Sequence, residues 1–352
     1  MALIAMETGR FHEKYSEEIA VYGTPYRKIW ILAVLVVTFV VIPLVASPYW
    51  LVVLTLVGIA AVGATGLNVL VGYAGQISLG HAAFAAIGAY TSGLLVSRAE
   101  APFWVAVPVA MVAAGVFSLI FGLASLRVKG LYLAIATLAA QYIVQWILTS
   151  WTWITGGFQG IVIFEPIQIG PFDTTTPMGK YLMVFISLAL VVVFVENLMR
   201  SRSGRAMIAV RDQDIAAAGS AVSPLHYKLL AFFISSAIAG LSGVLYGYNA
   251  GLVSTEVFTL ALSVQYLAMI LVGGLGSIPG SILGAGFITM LPLWLRDLLP
   301  AVGIELSASV EVHLLTLLFG VAILLFLVLE PRGLYGLFRN IKDYFRMWPF
   351  SY

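Results

Sequence analysis

The sequence predicts an all-α, polytopic membrane protein of about ten transmembrane helices with both termini in the cytoplasm. Three observations carry this reading. Of 352 residues, 61% are hydrophobic and 10% charged, with a mean hydropathy of +1.02; a soluble domain is about 25% charged. The apolar residues gather into ten long runs. When the runs are threaded alternately through a bilayer, 15 of the 18 Lys and Arg residues fall on one side. A chain this apolar lacks the polar surface of a soluble enzyme or a disordered scaffold. Its net charge of +2 is too small and too scattered to engage nucleic acid. The absence of cysteine excludes a disulfide framework, an Fe–S cluster and a thiol nucleophile.

A helix needs about 20 apolar residues to cross the hydrocarbon core, with about 17–25 observed. Runs of this kind are 29–46, 50–71, 82–97, 103–125, 131–149, 181–195, 229–248, 260–272, 281–295 and 313–329. Several are short, notably 260–272, so eight spans plus re-entrant segments is the alternative count. The runs are too long for strands and lack period-two alternation, which argues against a β-barrel. Residues 1–28 hold Glu7, Arg10, Glu13, Lys14, Glu17, Glu18, Arg27 and Lys28 with no apolar stretch. They read as a cytoplasmic arm rather than a cleaved secretory signal. The other inner segments hold Arg127 and Lys129, then Arg200, Arg202, Arg205, Arg211 and Lys228, then Arg332, Arg339, Lys342 and Arg346. Only Arg98, Lys180 and Arg296 fall outside. The positive-inside rule therefore demands an even number of spans. The chain divides into the arm 1–28, a membrane domain 29–330 and a cytoplasmic tail 331–352. The longest inner segment, 196–228, separates two halves of five runs and carries 8 of the 34 charged residues.

Each half contains one uncharged glycine-rich break. The first includes Gly72, Gly75, Gln76, Ser78, Gly80 and His81; the second includes Gly273, Gly274, Gly276, Ser277, Pro279 and Gly280. Paired breaks in two halves of a transporter point to the substrate path, because freed backbone groups can face only protein or water at that depth. The simpler reading is a tight turn between packed helices. In the inner segment, the stretch from Asp212 to Ala221 is rich in small, helix-prone residues. A short helix with an alanine face lets another protein approach closely, and the flanking Arg and Asp residues can pair with it.

These segments resemble the LivM-type permeases of branched-chain amino acid ABC importers. The resemblance rests on Gly66, Asn68, Gly72, Gly75, Gln76, Ser78, Gly80 and His81 through Phe84, Gly88 and Tyr90. It continues through Thr155 to Gly157, the inner segment with Tyr227 to Phe232, Ala239 to Gly243, the turn from Gly273 to Gly280, and Glu330 to Leu334. One departure is Ala221, where the family usually has glycine; Pro224 follows soon after. The resemblance implies a type II ABC importer permease in the inner membrane of a prokaryote. It further implies a second, homologous LivH-type permease, two ATP-binding subunits and an extracytoplasmic solute-binding protein as partners. On that reading the 212–221 segment docks in a groove of an ATPase subunit. Gly204 and Arg205 shape the turn into it, Arg211, Asp212 and Asp214 supply polar contacts, and Ala216 and Ala217 form the close-packing face. No phosphate loop of the form G-x-x-x-x-G-K-[ST] occurs, so ATP and Mg belong to the partners and this chain holds no cofactor.

For the solute path, the fifth run places Thr137, Gln141, Gln145 and Thr149 at i, i+4, i+8 and i+12, on one slowly drifting helical face. Uncharged polar groups suit passage of a zwitterion without trapping it. Asn68, Gln76, Ser78 and His81 extend the candidate path. The competing role is interhelical hydrogen bonding, worth roughly 0.6–2 kcal/mol per contact. Ser78 and His81 lie three residues apart, but the first half's spans contain no acidic residue to orient a base, which argues against a hydrolase. His12, His226 and His313 lack metal-ligand spacing, so neither a metal site nor a catalytic residue is expected. Span interiors without ionisable groups argue against a proton-coupled secondary carrier or a channel with charged rings. A urea or short-amide permease of the same family is the alternative within the class.

Overall fold

The computed structural model describes residues 25–124, 130–163, 168–169, 172–173 and 175–301, with scattered positions from 310 to 340. Helices make up almost all of it. α1 (Pro25–Val36) runs on through a π-turn, Val37–Val41, and a further turn, Ile42–Val45. α2 (Pro48–Asn68) starts with proline in its first turn, where a missing N–H leaves nothing unpaired. It ends in a second π-turn, Val69–Tyr73, which takes in Gly72 at the start of the first glycine break. Then follow α3 (His81–Ala99), α4 (Phe103–Ala124), α5 (Leu131–Ser150) and α6 (Pro177–Arg200). The inner segment forms α7 (Arg202–Asp212) and α8 (Asp214–Gly219). α9 (Pro224–Ala250), α10 (Leu260–Gly273) and α11 (Ile278–Ala301) complete the described chain.

Nine of the ten predicted runs coincide with described helices. The tenth run, 313–329, and the tail 331–352 are described only at scattered positions, while arm residues 1–24 and the Arg127–Lys129 pair lie outside the described residues. Five described helices are long and apolar enough to cross a membrane: Pro48–Tyr73, Phe103–Leu123, Tyr132–Ser150, Pro177–Arg200 and Pro224–Ala250. Ile29–Val45, Leu260–Gly273 and Ile278–Trp294 are apolar but shorter.

α2 and α9 form the centre. The most apolar window of each is 72% buried inside the protein, against 28% for α6. α9 packs on α3 and α4, α2 packs on α6, α9 and α11, and α10 packs on α11. Lipid is as apolar as leucine, so helices associate there through close van der Waals contact rather than expulsion from water. The α3–α9 crossing meets this need with small residues: Gly88 lies against Gly240, and Gly243 against the Ala85 backbone. The outward stripe of α4, Val105, Val109, Val112, Val116 and Ile120, recurs every three or four residues and is exposed, as a lipid-facing surface requires.

Two connections at the far end from the inner segment are tied by a short antiparallel ladder, Ile161–Val162 with Leu252–Val253, in register Ile161 to Val253. Two-residue strands are too short to leave an alternation in the sequence. Nearby, the Arg98 guanidinium donates to the carbonyls of Trp153 at 2.7 Å and Ile154 at 2.8 Å.

The inner segment 196–228 differs from the loop expected with one short helix over 212–221. It is helical almost throughout, and the short helix begins at Asp214. Its charges suggest a solvated loop, yet Ala206, Met207 and Val210 of α7 are buried on one face, and that amphipathic face holds the helix down. Ser201 caps α7 by accepting from Gly204 N at 3.3 Å. Gln213, in an extended conformation, separates α7 from α8.

α8 ends in a Schellman turn: Val222 N donates to the Ala217 carbonyl at 3.0 Å and Ala221 N to that of Ala218 at 3.1 Å. The turn needs a left-handed residue, and Ala221 supplies it at φ +61°. An L-residue pays about 1–2 kcal/mol for that conformation, partly offset by the chain freedom glycine would lose. Ala221→Gly should therefore raise the thermal unfolding midpoint of the purified protein, by about 0.5–1 kcal/mol of stability. A lowered midpoint would show that the turn is not strained.

Candidate functional site

The two glycine breaks, which begin at Gly72 and Gly273, are clasped together by one side chain. Asn68 is fully buried at the end of α2. Its Nδ2 donates to the Ser277 carbonyl at 2.9 Å and to Ser281 Oγ at 2.8 Å. Its Oδ1 accepts from Gly276 N at 2.9 Å. Those bonds fix the orientation of the amide and pair the Gly276 N–H, which the break frees from regular helix. The π-turn after Asn68 brings the chain round so that Gly72 lies directly beneath it. A Cβ on Gly72 would collide with Asn68 Oδ1 and with Gly276 N, so only glycine fits between the two breaks.

Arg211, the last arginine of α7, reaches into the same junction. Its Nη1 donates to the Gly72 carbonyl at 2.8 Å. Gly75, at φ +66°, leaves room for the Arg211 stem, and a Cβ there would strike Arg211 Cγ. Arg211 also pairs with Asp212 at 2.8 Å, but that pair is well exposed and contributes about 0–1 kcal/mol. Asp214 and Lys228 approach at 3.6 Å with less exposure. Between these groups lies a cleft of about 260 Å³ whose lining includes Gln76, Gly130, Arg211, Asp214 and Lys228. Gln76 is only 4% exposed, and neither of its amide atoms has a hydrogen-bond partner. A buried amide left without a partner costs about 1–3 kcal/mol.

The other expected contact residues spread over the inner segment. Gly204 packs against the Leu198 and Met199 backbone, and Arg205 donates to the Arg200 carbonyl. Ala217 faces inward and is buried, while Ala216 faces out. Beside it Ile215 is 78% exposed. Sequence reasoning passed over Ile215; the signal was a large apolar residue inside an alanine run next to charges.

Most expected path residues hold the helices together. Thr137 Oγ1 accepts from Leu79 N at 2.9 Å and donates to its own helix at Ala134 O, anchoring the end of the first break near Gly80. Gln141 is buried; its Nε2 donates to the Phe258 carbonyl at 2.8 Å, and its Oε1 accepts from Ser263 at 3.3 Å. Ser263 in turn accepts from Ala82 N at 2.9 Å. Ser78 Oγ accepts weakly from Gly80 N at 3.4 Å, whereas His81 Nε2 bonds the Gly63 carbonyl at 3.1 Å with its ring edge-on to Tyr266. Ser78 and His81 thus serve different partners. In the second break, Gly274 N donates to the Ile270 carbonyl at 2.9 Å and Gly280 N to Ser277 Oγ at 3.1 Å. Among the described residues no group of three His, Asp or Glu could hold a metal ion. The Glu311–His313 pair lies outside the described residues.

Gln145 and Thr149 continue the stripe and are half-buried. The two glutamines therefore predict different outcomes. Gln141→Leu strands the Phe258 carbonyl and should lower both thermal stability and transport. Gln145→Leu should lower uptake at an unchanged unfolding midpoint. Normal uptake in both variants would remove the stripe from the path.

The model of the family described as branched-chain amino acid transport system, permease component, matches residues 49–329. The chain belongs to this family. The permease is 33% identical over 338 residues to the high-affinity branched-chain amino acid transport system permease protein LivM of Escherichia coli strain K12, covering 90% of this chain and 76% of that protein. It is 34% identical to LivM of Salmonella typhimurium strain LT2, over 78% of this chain and 70% of that one. A more distant likeness, 27% over 49% of this chain and 52% of the relative, joins the permease to the autoinducer 2 import system permease protein LsrC of Enterobacter sp. strain 638. No solved structure matches the permease. Family membership and the apolar helices make it a multi-pass membrane protein.

Proposed function

We propose that this chain is the membrane-spanning subunit of an ATP-driven importer. It moves branched-chain or other hydrophobic amino acids delivered by a solute-binding protein. The contact that carries this reading is Arg211 Nη1 on the Gly72 carbonyl at 2.8 Å. ATP can shift a permease only by favouring one of its global states, so the ATPase contact needs a physical connection to the path. Here the inner segment touches the first break through Arg211, and Asn68 joins that break to the second.

On this reading the chain makes ten crossings with both termini inside, in the inner membrane of a prokaryote. α8, led by the exposed Ile215 and Ala216, seats in an ATPase subunit, while Ala217, expected on the same face, packs inward against the permease. The chain itself is non-catalytic and holds no cofactor; ATP and Mg sit on two partner subunits, and a homologous LivH-type permease completes the membrane pair. The LivM likenesses support the amino-acid solute, and a urea or short-amide solute is the alternative within the family.

The test is the purified complex in liposomes, with the binding protein and labelled leucine, urea or acetamide. ATP-dependent leucine uptake is the expected result. Uptake of urea or acetamide alone would move the assignment to the amide branch. Gradient-driven flux by this chain without ATPase subunits would replace the importer with a carrier.

A further inference from the structure

The sequence carries one further motif, Glu330 to Leu334, directly after the last apolar run. Pro331 and Gly333 have the pattern of an ordinary helix stop. Arg339, Lys342, Asp343 and Arg346 follow, as in a solvated tail. The glycine of the motif is not solvated. Gly333 is buried at φ +70°, in a helical turn over 333–337. A Cβ on Gly333 would lie 2.6 Å from Gly274 N, 2.7 Å from Gly274 Cα and 2.9 Å from Gly273 C. Non-bonded carbon atoms rest at about 3.5–4.0 Å. Main chain of the tail therefore sits directly on main chain of the second glycine break, and no side chain can move aside to make room.

The same break is gripped by other neighbours. Gly273 also lies against Gly280 and Gly284 at the start of α11, and Gly276 is bonded by Asn68. Beyond Gly333, Leu334 packs against the helical core. Tyr335 comes within electrostatic reach of Tyr73 at the first break, as do Arg211 and Glu196. The tail thus arrives where both breaks and the inner segment meet. A helix stop alone needs only a left-handed residue, and asparagine serves there too; it does not need that residue to touch another segment. Two main chains in contact have no rotamers to absorb a displacement, so movement of one is passed to the other.

We propose that Gly333 is a positioning residue for transport, through which the cytoplasmic tail holds the second break and moves with it as one body. This rests on the permease reading above. Arg211 links the inner segment to the first break; the tail gives the second break a cytoplasmic link of its own.

The test uses the assembled complex in liposomes with its binding protein and labelled leucine. Gly333→Ala adds the colliding Cβ. Leucine moved per ATP should fall at least about fivefold, the low end of a typical coupling between sites, at an unchanged half-saturating concentration of loaded binding protein. Gly333→Asn separates the contact from the turn. Asparagine tolerates the left-handed backbone but carries the same Cβ, so it should be as impaired as alanine. Leu337→Ala, exposed on the same turn, should transport normally. The chain has no cysteine, so spin labels in it can be confined to Leu275→Cys in the break and Leu337→Cys in the tail, both exposed. Dipolar spectroscopy should give one narrow separation, the same without nucleotide and with ATP trapped by vanadate. A normal ratio in Gly333→Ala, or its rescue by Gly333→Asn, overturns the inference, as does a fall carried by the half-saturating concentration instead. A separation that is broad, or that shifts between the two states, also overturns it, and this measurement decides if Gly333→Ala does not assemble. A wild-type complex that moves no leucine with ATP overturns the permease reading itself.

Discussion

Asn68→Leu is expected to abolish most transport and to lower the stability of the permease. Leucine has nearly the same size but offers neither donor nor acceptor. The Gly276 N–H and the Ser277 carbonyl, both bonded to Asn68 at 2.9 Å, lose that partner. Each unsatisfied buried group costs about 1–3 kcal/mol, and the bilayer offers no water as a substitute. Only the Gly276 N–H is left bare, since the Ser277 carbonyl still accepts from Ser281 N at 3.0 Å and from Ser281 Oγ at 3.1 Å; that one group is still a sizeable share of a typical folding free energy of about 5–15 kcal/mol. Measured membrane hydrogen bonds average nearer 0.6 kcal/mol, because the unfolded chain also finds partners in the membrane. The lower figure applies where the second break can relax toward α11; the higher applies if Gly72 and Gly276 stay packed. Thermal unfolding in detergent distinguishes them, and leucine uptake in liposomes gives the functional reading. Wild-type values in both assays would mean the clasp is dispensable.

Arg211→Ala is expected to separate ATP hydrolysis from uptake. The variant keeps α7 and α8 in place, since α7 is held by the buried faces of Ala206, Met207 and Val210 rather than by Arg211. It removes the hydrogen bond to the Gly72 carbonyl and empties the stem-filled space over Gly75. The complex should assemble and hydrolyse ATP, while amino acid moved per ATP falls by about tenfold, equivalent to about 1.4 kcal/mol of lost coupling. Arg211→Lys should rescue little, because one ammonium cannot span Asp212 and Gly72 as the forked guanidinium does. Asp212→Ala is the control: it breaks an exposed ion pair and should leave the ratio near wild type. If Arg211→Ala transports with a normal ratio, the inner segment reaches the path by another route.

The helices were legible because burial in protein and immersion in lipid ask for the same residues. A run such as 50–71 announces a span whichever surrounds it, and α2 occupies it closely. For the same reason hydropathy could not show that α2 and α9 are central and α6 peripheral. The site was legible in part. Asn68 and Gly72 stood out as a polar residue and a glycine beside a break, but Asn68's partners lie more than 200 residues away. Arg211 read as an outward contact for another protein, whereas one arm of its guanidinium turns inward. Helical spacing put Thr137, Gln141 and Gln145 on one face; it could not tell that Phe258 and Ser263 cover Gln141. Periodicity identifies a face, and only tertiary packing says what lies against it.

The ladder between Ile161–Val162 and Leu252–Val253 has a consequence for how this rim can vary. Its shape is set by main-chain hydrogen bonds, which depend little on which side chains are present. Exposed positions there, such as Val162 and Leu252, are therefore free to be rewritten without reshaping the rim. A family could alter what this rim presents while leaving the bundle beneath it untouched.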